Sequence, residues 1–142
     1  MQPVPAPFVP SGFATSSPIL QEEDLTIFES GATKEYILDR YGNGELRPKA
    51  GSKASAYYHQ WAWFSESTLA RPLGLNLMLR AKDEENSDLA KDVVTKLKTR
   101  LGVVEQALLD WQFILGNEFS AADIMLGYSL ELVRRFKILT SQ

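Results

Sequence analysis

Glu29-Ser30, just ahead of a helix expected to run to about Tyr41, is the pair in this chain best suited to bind a charged ligand. The first N–H groups of a helix have no partner inside it, and the helix dipole adds positive potential at that end. A ligand carboxylate is well placed there. Ser30 adds a hydroxyl, and Glu29 can face an ammonium group on the same ligand. From the pair alone a plainer reading leads, with Ser30 only an N-cap and Glu29 only an acid that compensates the dipole. The chain has no cysteine, which removes disulfides, cysteine-type zinc sites and any thiol nucleophile. Its one histidine, His59, leaves little for metal or triad chemistry and reads as a hydrogen-bonded helix histidine rather than a base. Tyr57, Tyr58, Trp61 and Trp63 gather on one expected helix. They read as core or dimer interface ahead of the lining of an apolar pocket.

Bulk properties narrow the class. The net charge of −3 carries no broad basic footprint, which argues against nucleic acid and anionic lipid as partners. No apolar run is long enough to span a membrane. The N-terminus lacks the basic and continuous apolar regions of a secretory signal, so a cytoplasmic location is expected.

The elements that must position these residues follow from periodicity and punctuation. Residues 1–17 hold Pro3, Pro5, Pro7 and Pro10 and read as an extended or disordered tail. Pro18-Ile19-Leu20 and Leu25-Thr26-Ile27-Phe28 are short β-prone runs around Gln21-Glu22-Glu23-Asp24, which predicts a hairpin with that tetrapeptide as its turn. The helix after Ser30 is stopped by Gly42 and Gly44. Residues 43–53 are a polar linker bearing Gly and Pro. A long helix is expected from near Ser55, ended or kinked by Pro72, with a further piece over 73–79. Leu89, Val93, Leu97, Leu101, Val104, Leu108 and Trp111 form a helical stripe that Gly116 ends. Ser120 and Asp123 form a capping box, with Phe119 and Ile124 set for a hydrophobic staple. The helix they start is apolar on most sides, so it is expected at the centre of the core under its neighbours.

Three stretches resemble one family. Gly116-Asn117-Glu118-Phe119-Ser120-Ala121-Ala122-Asp123-Ile124 is similar to the core-helix signature of the glutathione S-transferase superfamily. Phe28 to Leu38 resembles its segment E-S-x-A-I-x-x-Y-L, with Thr33 in place of isoleucine. His59 to Leu73 is similar to a helix of its bacterial and fungal branch. The motifs stand in the family's order and at about its spacing.

The resemblance implies a mainly α (α+β) chain. A remnant of a thioredoxin-like unit, hairpin plus helix, over 18–42 precedes an all-helical C-terminal-type bundle over 54–142. It implies that Ser17, Pro18, Glu29 and Ser30 bind glutathione as co-substrate. Pro18 matches a cis-proline, Ser17 the residue whose backbone pairs with the peptide's cysteine, and Glu29-Ser30 the pair that holds the γ-glutamyl end. No metal is implied. The implied reaction joins the glutathione thiol to a hydrophobic electrophile, as in detoxification, with a homodimer as the assembly. No residue here matches the family's thiol-activating position, so the chain reads as truncated at both ends and crippled in catalysis, and its standing as an enzyme is left open. The alternative is a non-catalytic transferase-like binding or dimerisation module.

Overall fold

The computed structural model describes residues 19–138. Its elements are β1 (Leu20–Glu22), β2 (Leu25–Ile27), α1 (Ser30–Tyr41), α2 (Lys53–Trp63), a π-helical segment (Phe64–Ala70), α3 (Arg71–Ala81), α4 (Asp88–Ala107) and α5 (Ala121–Arg135). The architecture is mainly helical, a hairpin and a helix followed by a helical bundle. The chain divides into two units between Glu45 and Leu46.

In the first unit, β1 and β2 pair antiparallel, with Leu20 opposite Ile27 and Glu22 opposite Leu25. The turn is therefore Glu23-Asp24 alone, tighter than the sequence suggests. Glu23 takes φ +52, the left-handed region that glycine usually supplies at this place in a two-residue hairpin. At the far end of α1, Gly42 keeps a right-handed conformation, and Asn43 at φ +48 makes the first left-handed step. Asparagine tolerates that region better than most residues.

Helix α2 begins two residues before Ser55. The Ser52 side chain accepts a hydrogen bond from the Ser55 N–H at 3.1 Å, so Ser52 is the N-cap of α2. From α2 to α3 the chain stays helical through Pro72, which sits in the first turn of α3, where a missing N–H costs least. The π segment absorbs the mismatch just before it. Arg100 Nη1 donates to the carbonyl of Thr68 at 3.0 Å, the carbonyl four residues before Pro72 that the proline cannot serve.

Helix α4 ends at Ala107, well short of Gly116. The loop that follows turns back on itself, with Phe113 and Gly116 exchanging backbone hydrogen bonds and Gly116 at φ +122. Trp111 lies in this loop and is exposed rather than continuing the stripe. Leu73, Val93, Leu97, Val133 and Ile138 form one cluster of the core of this unit.

At the start of α5 the carboxylate of Asp123 does more than a capping box requires. It accepts the Ser120 N–H at 2.9 Å, the Ser120 hydroxyl at 2.7 Å and the Ile114 N–H at 2.7 Å. One acid thus fastens the helix start to the preceding loop. Phe119 sets its ring edge-on to Phe113, with centroids 5.4 Å apart. Helix α5 buries Ala121, Ala122, Leu126, Ser129 and Val133. It is not covered on all sides, since Ile124 and Tyr128 are exposed. Leu126 and Val133 share the buried face with the small residues Ala121, Ala122 and Ser129, while Ile124 and Tyr128 turn outward.

Candidate functional site

The end of β2 leads through Phe28 and Glu29 directly into α1. The carbonyl of Glu29 accepts the N–H of Thr33 at 2.9 Å, closing the first turn. Glu29, not Ser30, is therefore the N-cap, and its side chain makes no capping hydrogen bond. The plainer expectation of Ser30 as N-cap gives way because the helix starts one residue earlier than the hydroxyl requires. Ser30 instead occupies the first helical position and is exposed, as is Glu29. The N–H groups of Ser30, Gly31 and Ala32 precede the first one bonded within the helix.

Glu29 has φ 76 and ψ 116, a conformation that a side chain beyond glycine adopts only under constraint. Such a residue costs on the order of 1–3 kcal/mol and persists where its surroundings enforce it. A second unmet group lies one turn away, where the buried Thr33 Oγ1 has no hydrogen-bond partner. Ser17 and Pro18 lie outside the described residues.

What holds the hairpin against α1 is a carboxylate that the sequence reading left in the turn. Glu22 ends β1 and accepts the Tyr36 hydroxyl at 2.6 Å, Arg40 Nε at 2.9 Å and the Tyr41 hydroxyl. Tyr36 and Arg40 are four residues apart, so they share one face of α1. The spacing of these donors was the signal available in the sequence. The Tyr36 hydrogen bond, followed by that of Tyr41, holds the Glu22 carboxyl below the usual carboxylate range. The same Glu22 contact pushes the Tyr36 phenol up. Hairpin and helix are joined through charge-assisted hydrogen bonds, which fixes where β2 delivers Glu29.

The other candidates separate. In the second unit Tyr58 and Trp61 are buried, whereas Tyr57 and Trp63 are exposed, so the aromatic cluster does not line one pocket. His59 is exposed and stands edge-on to the Tyr58 ring. Among the described residues no group of acids and histidine is placed to hold a metal ion. No described helix is long and apolar enough to cross a membrane.

No protein-family model matches the chain. Two glutathione S-transferases of Arabidopsis thaliana are similar to it. One is 27% identical over 125 residues, covering 81% of this chain and 58% of its own length. The other is 30% identical over 115 residues, covering 75% and 53%. The chain thus spans about half the length of these curated relatives. Elongation factor 1-gamma-B of Xenopus laevis is 31% identical over 108 residues, which cover 73% of this chain and 23% of that protein. Among solved structures, a glutathione transferase family member from Pseudomonas fluorescens with two glutathione bound superposes with a TM-score of 0.70 at 25% identity. The match covers 80% of this chain and 50% of that one.

Proposed function

The chain belongs to the glutathione S-transferase superfamily, and from that premise we propose that its first unit carries the γ-glutamyl half of a glutathione site. The α-carboxylate of the peptide meets the Ser30 hydroxyl and the unpaired N–H groups at the start of α1. Glu29 faces the α-ammonium. The observation that carries this reading is the constrained backbone of Glu29, which sets an exposed acid beside an exposed helix N-terminus. The glutathione held by the Pseudomonas fluorescens relative supports the choice of ligand. Ser17 and Pro18, which the family resemblance assigns to the cysteine end of the peptide, complete the site.

The reaction served is conjugation of the glutathione thiol to a hydrophobic electrophile, in a cytoplasmic homodimer. A thiol becomes a good nucleophile when a neighbouring group stabilises its thiolate. No residue of this sequence matches the family's position for that group, so the chain by itself binds glutathione and conjugates it slowly.

Calorimetric titration with glutathione, run beside a conjugation assay with an aryl chloride, tests both parts. Weak binding that falls about tenfold in Ser30→Ala is expected, as for loss of a hydrogen bond to a charged group. Absence of binding, or binding indifferent to Ser30→Ala, refutes the site. Fast conjugation abolished by Ser30→Ala refutes the claim of slow chemistry and keeps the site.

The Xenopus relative favours a second reading, a transferase-like module without catalysis. There a stretch similar to this chain makes up 23% of a protein that is not named as a transferase. That reading predicts no glutathione binding and a second copy or another chain held by the helical unit.

A further inference from the structure

We propose that the helical unit pairs with a second copy of itself, α4 against α4 in antiparallel sense, through the groove between α4 and α5. The inference gives the homodimer proposed above its face and rests on that part of the reading alone; glutathione plays no role in it.

The groove holds about 440 Å³ and is mostly apolar, walled by Leu101 and Leu108 of α4 and by Leu130 and Val133 of α5. The three leucines are only half-buried within the unit, so apolar surface is left in contact with water. Among the described residues, no buried and unpartnered polar atom lines the groove. A small polar ligand finds nothing there to orient it, whereas the apolar side chains of a facing helix fit it.

Charge selects the helix. Lys98 and Glu105 stand on the rim of the groove, seven residues apart on one face of α4 and separated by ~10 Å along its axis. Both are exposed, and neither side chain has an ion-pair partner among the described residues. A helix that complements this rim must present an acid opposite Lys98 and a cation opposite Glu105, at the same separation. The same face of α4, turned end for end, does so. A two-fold axis passing between Leu101 and Gly102 sets Lys98 of each copy against Glu105 of the other. The surface is thus self-complementary, which is the condition for a closed pair.

Gly102 lies beside that axis, in the interior of α4, where glycine destabilises a helix relative to alanine. A Cβ at this position would meet nothing within 4 Å, so the packing of the unit itself does not call for glycine. A second helix crossing here does. The missing side chain lets the two backbones approach and leaves room for Leu101 of the other copy.

The test is sedimentation of the full chain over a range of concentrations, in low and high salt. The native chain should reach a dimer whose dissociation constant rises with salt. Lys98→Glu and Glu105→Lys each set like charges opposite one another at both ends of the pair, and each should weaken it about tenfold. Mixed in equal amounts, the two variants regain opposite charges at both ends. They should then associate as tightly as the native chain, which also shows that both are folded. Gly102→Leu should weaken the dimer about tenfold while circular dichroism shows the helix content unchanged. A chain that is monomeric at every concentration overturns both this proposal and the homodimer. A dimer indifferent to Lys98→Glu and Glu105→Lys overturns the proposal and leaves the homodimer to another face. A mixture of the two variants that stays monomeric overturns the proposal as well, and so does a Gly102→Leu chain that dimerises at native strength.

Discussion

Replacing Glu29 by glycine separates strain from fold. At φ 76 and ψ 116 the native residue is held where glycine rests freely. Relief of that strain gains on the order of 1–3 kcal/mol. The greater freedom of glycine in the unfolded chain takes back about 0.5–1 kcal/mol. The net expectation is that Glu29→Gly stabilises the first unit by about 1 kcal/mol, roughly a fivefold drop in local opening. Amide hydrogen exchange in α1 is the assay, because it reads this unit separately from the larger one. The same substitution removes the carboxylate that faces the peptide ammonium, so glutathione binding should weaken about tenfold as stability rises. Glu29→Ala keeps most of the strain and loses the carboxylate. It should leave exchange nearly unchanged and weaken binding as much. Faster exchange in Glu29→Gly would refute the claim that the fold works against this backbone, and with it the observation on which the site rests.

Three further outcomes follow from the geometry. Asp123→Ala should destabilise the helical unit by about 2–3 kcal/mol and Ser120→Ala by about 1 kcal/mol in chemical denaturation, since the acid leaves three donors without an acceptor and the serine removes one of them; equal costs would show that the contacts from the Ile114 and Ser120 N–H groups contribute nothing. Arg100→Ala should cost about 1–2 kcal/mol, and less in a Pro72→Ala background where residue 72 regains an N–H for the Thr68 carbonyl, so a double-mutant cycle without coupling would contradict this account of the proline. Glu22 has its folded-state pKa depressed below its ordinary 4.5, so its contribution to the first unit is complete above that value and is lost as pH falls through the depressed one; in Tyr36→Phe the Glu22 carboxyl should titrate higher, as read by carbon-detected magnetic resonance.

What the sequence determined by itself was local. Asp123 three residues after Ser120 sets the start of α5, and the leucine and valine spacing sets α4, because these signals act within one or two helical turns. The hairpin followed by a helix could likewise be read from composition. Partners distant in sequence could not. That Glu22 accepts from Tyr36, Arg40 and Tyr41, or that Arg100 serves the carbonyl before Pro72, depends on which helix faces come together. Periodicity gives the faces and not their pairing. Helix α4 stops at Ala107 rather than Gly116 because Asp123 draws the Ile114 N–H into a loop, an effect that reaches back nine residues. The constrained backbone of Glu29 is the sharpest case. Nothing in a glutamate announces a positive φ, and only the join between a hairpin and a helix, each held by other residues, decided it.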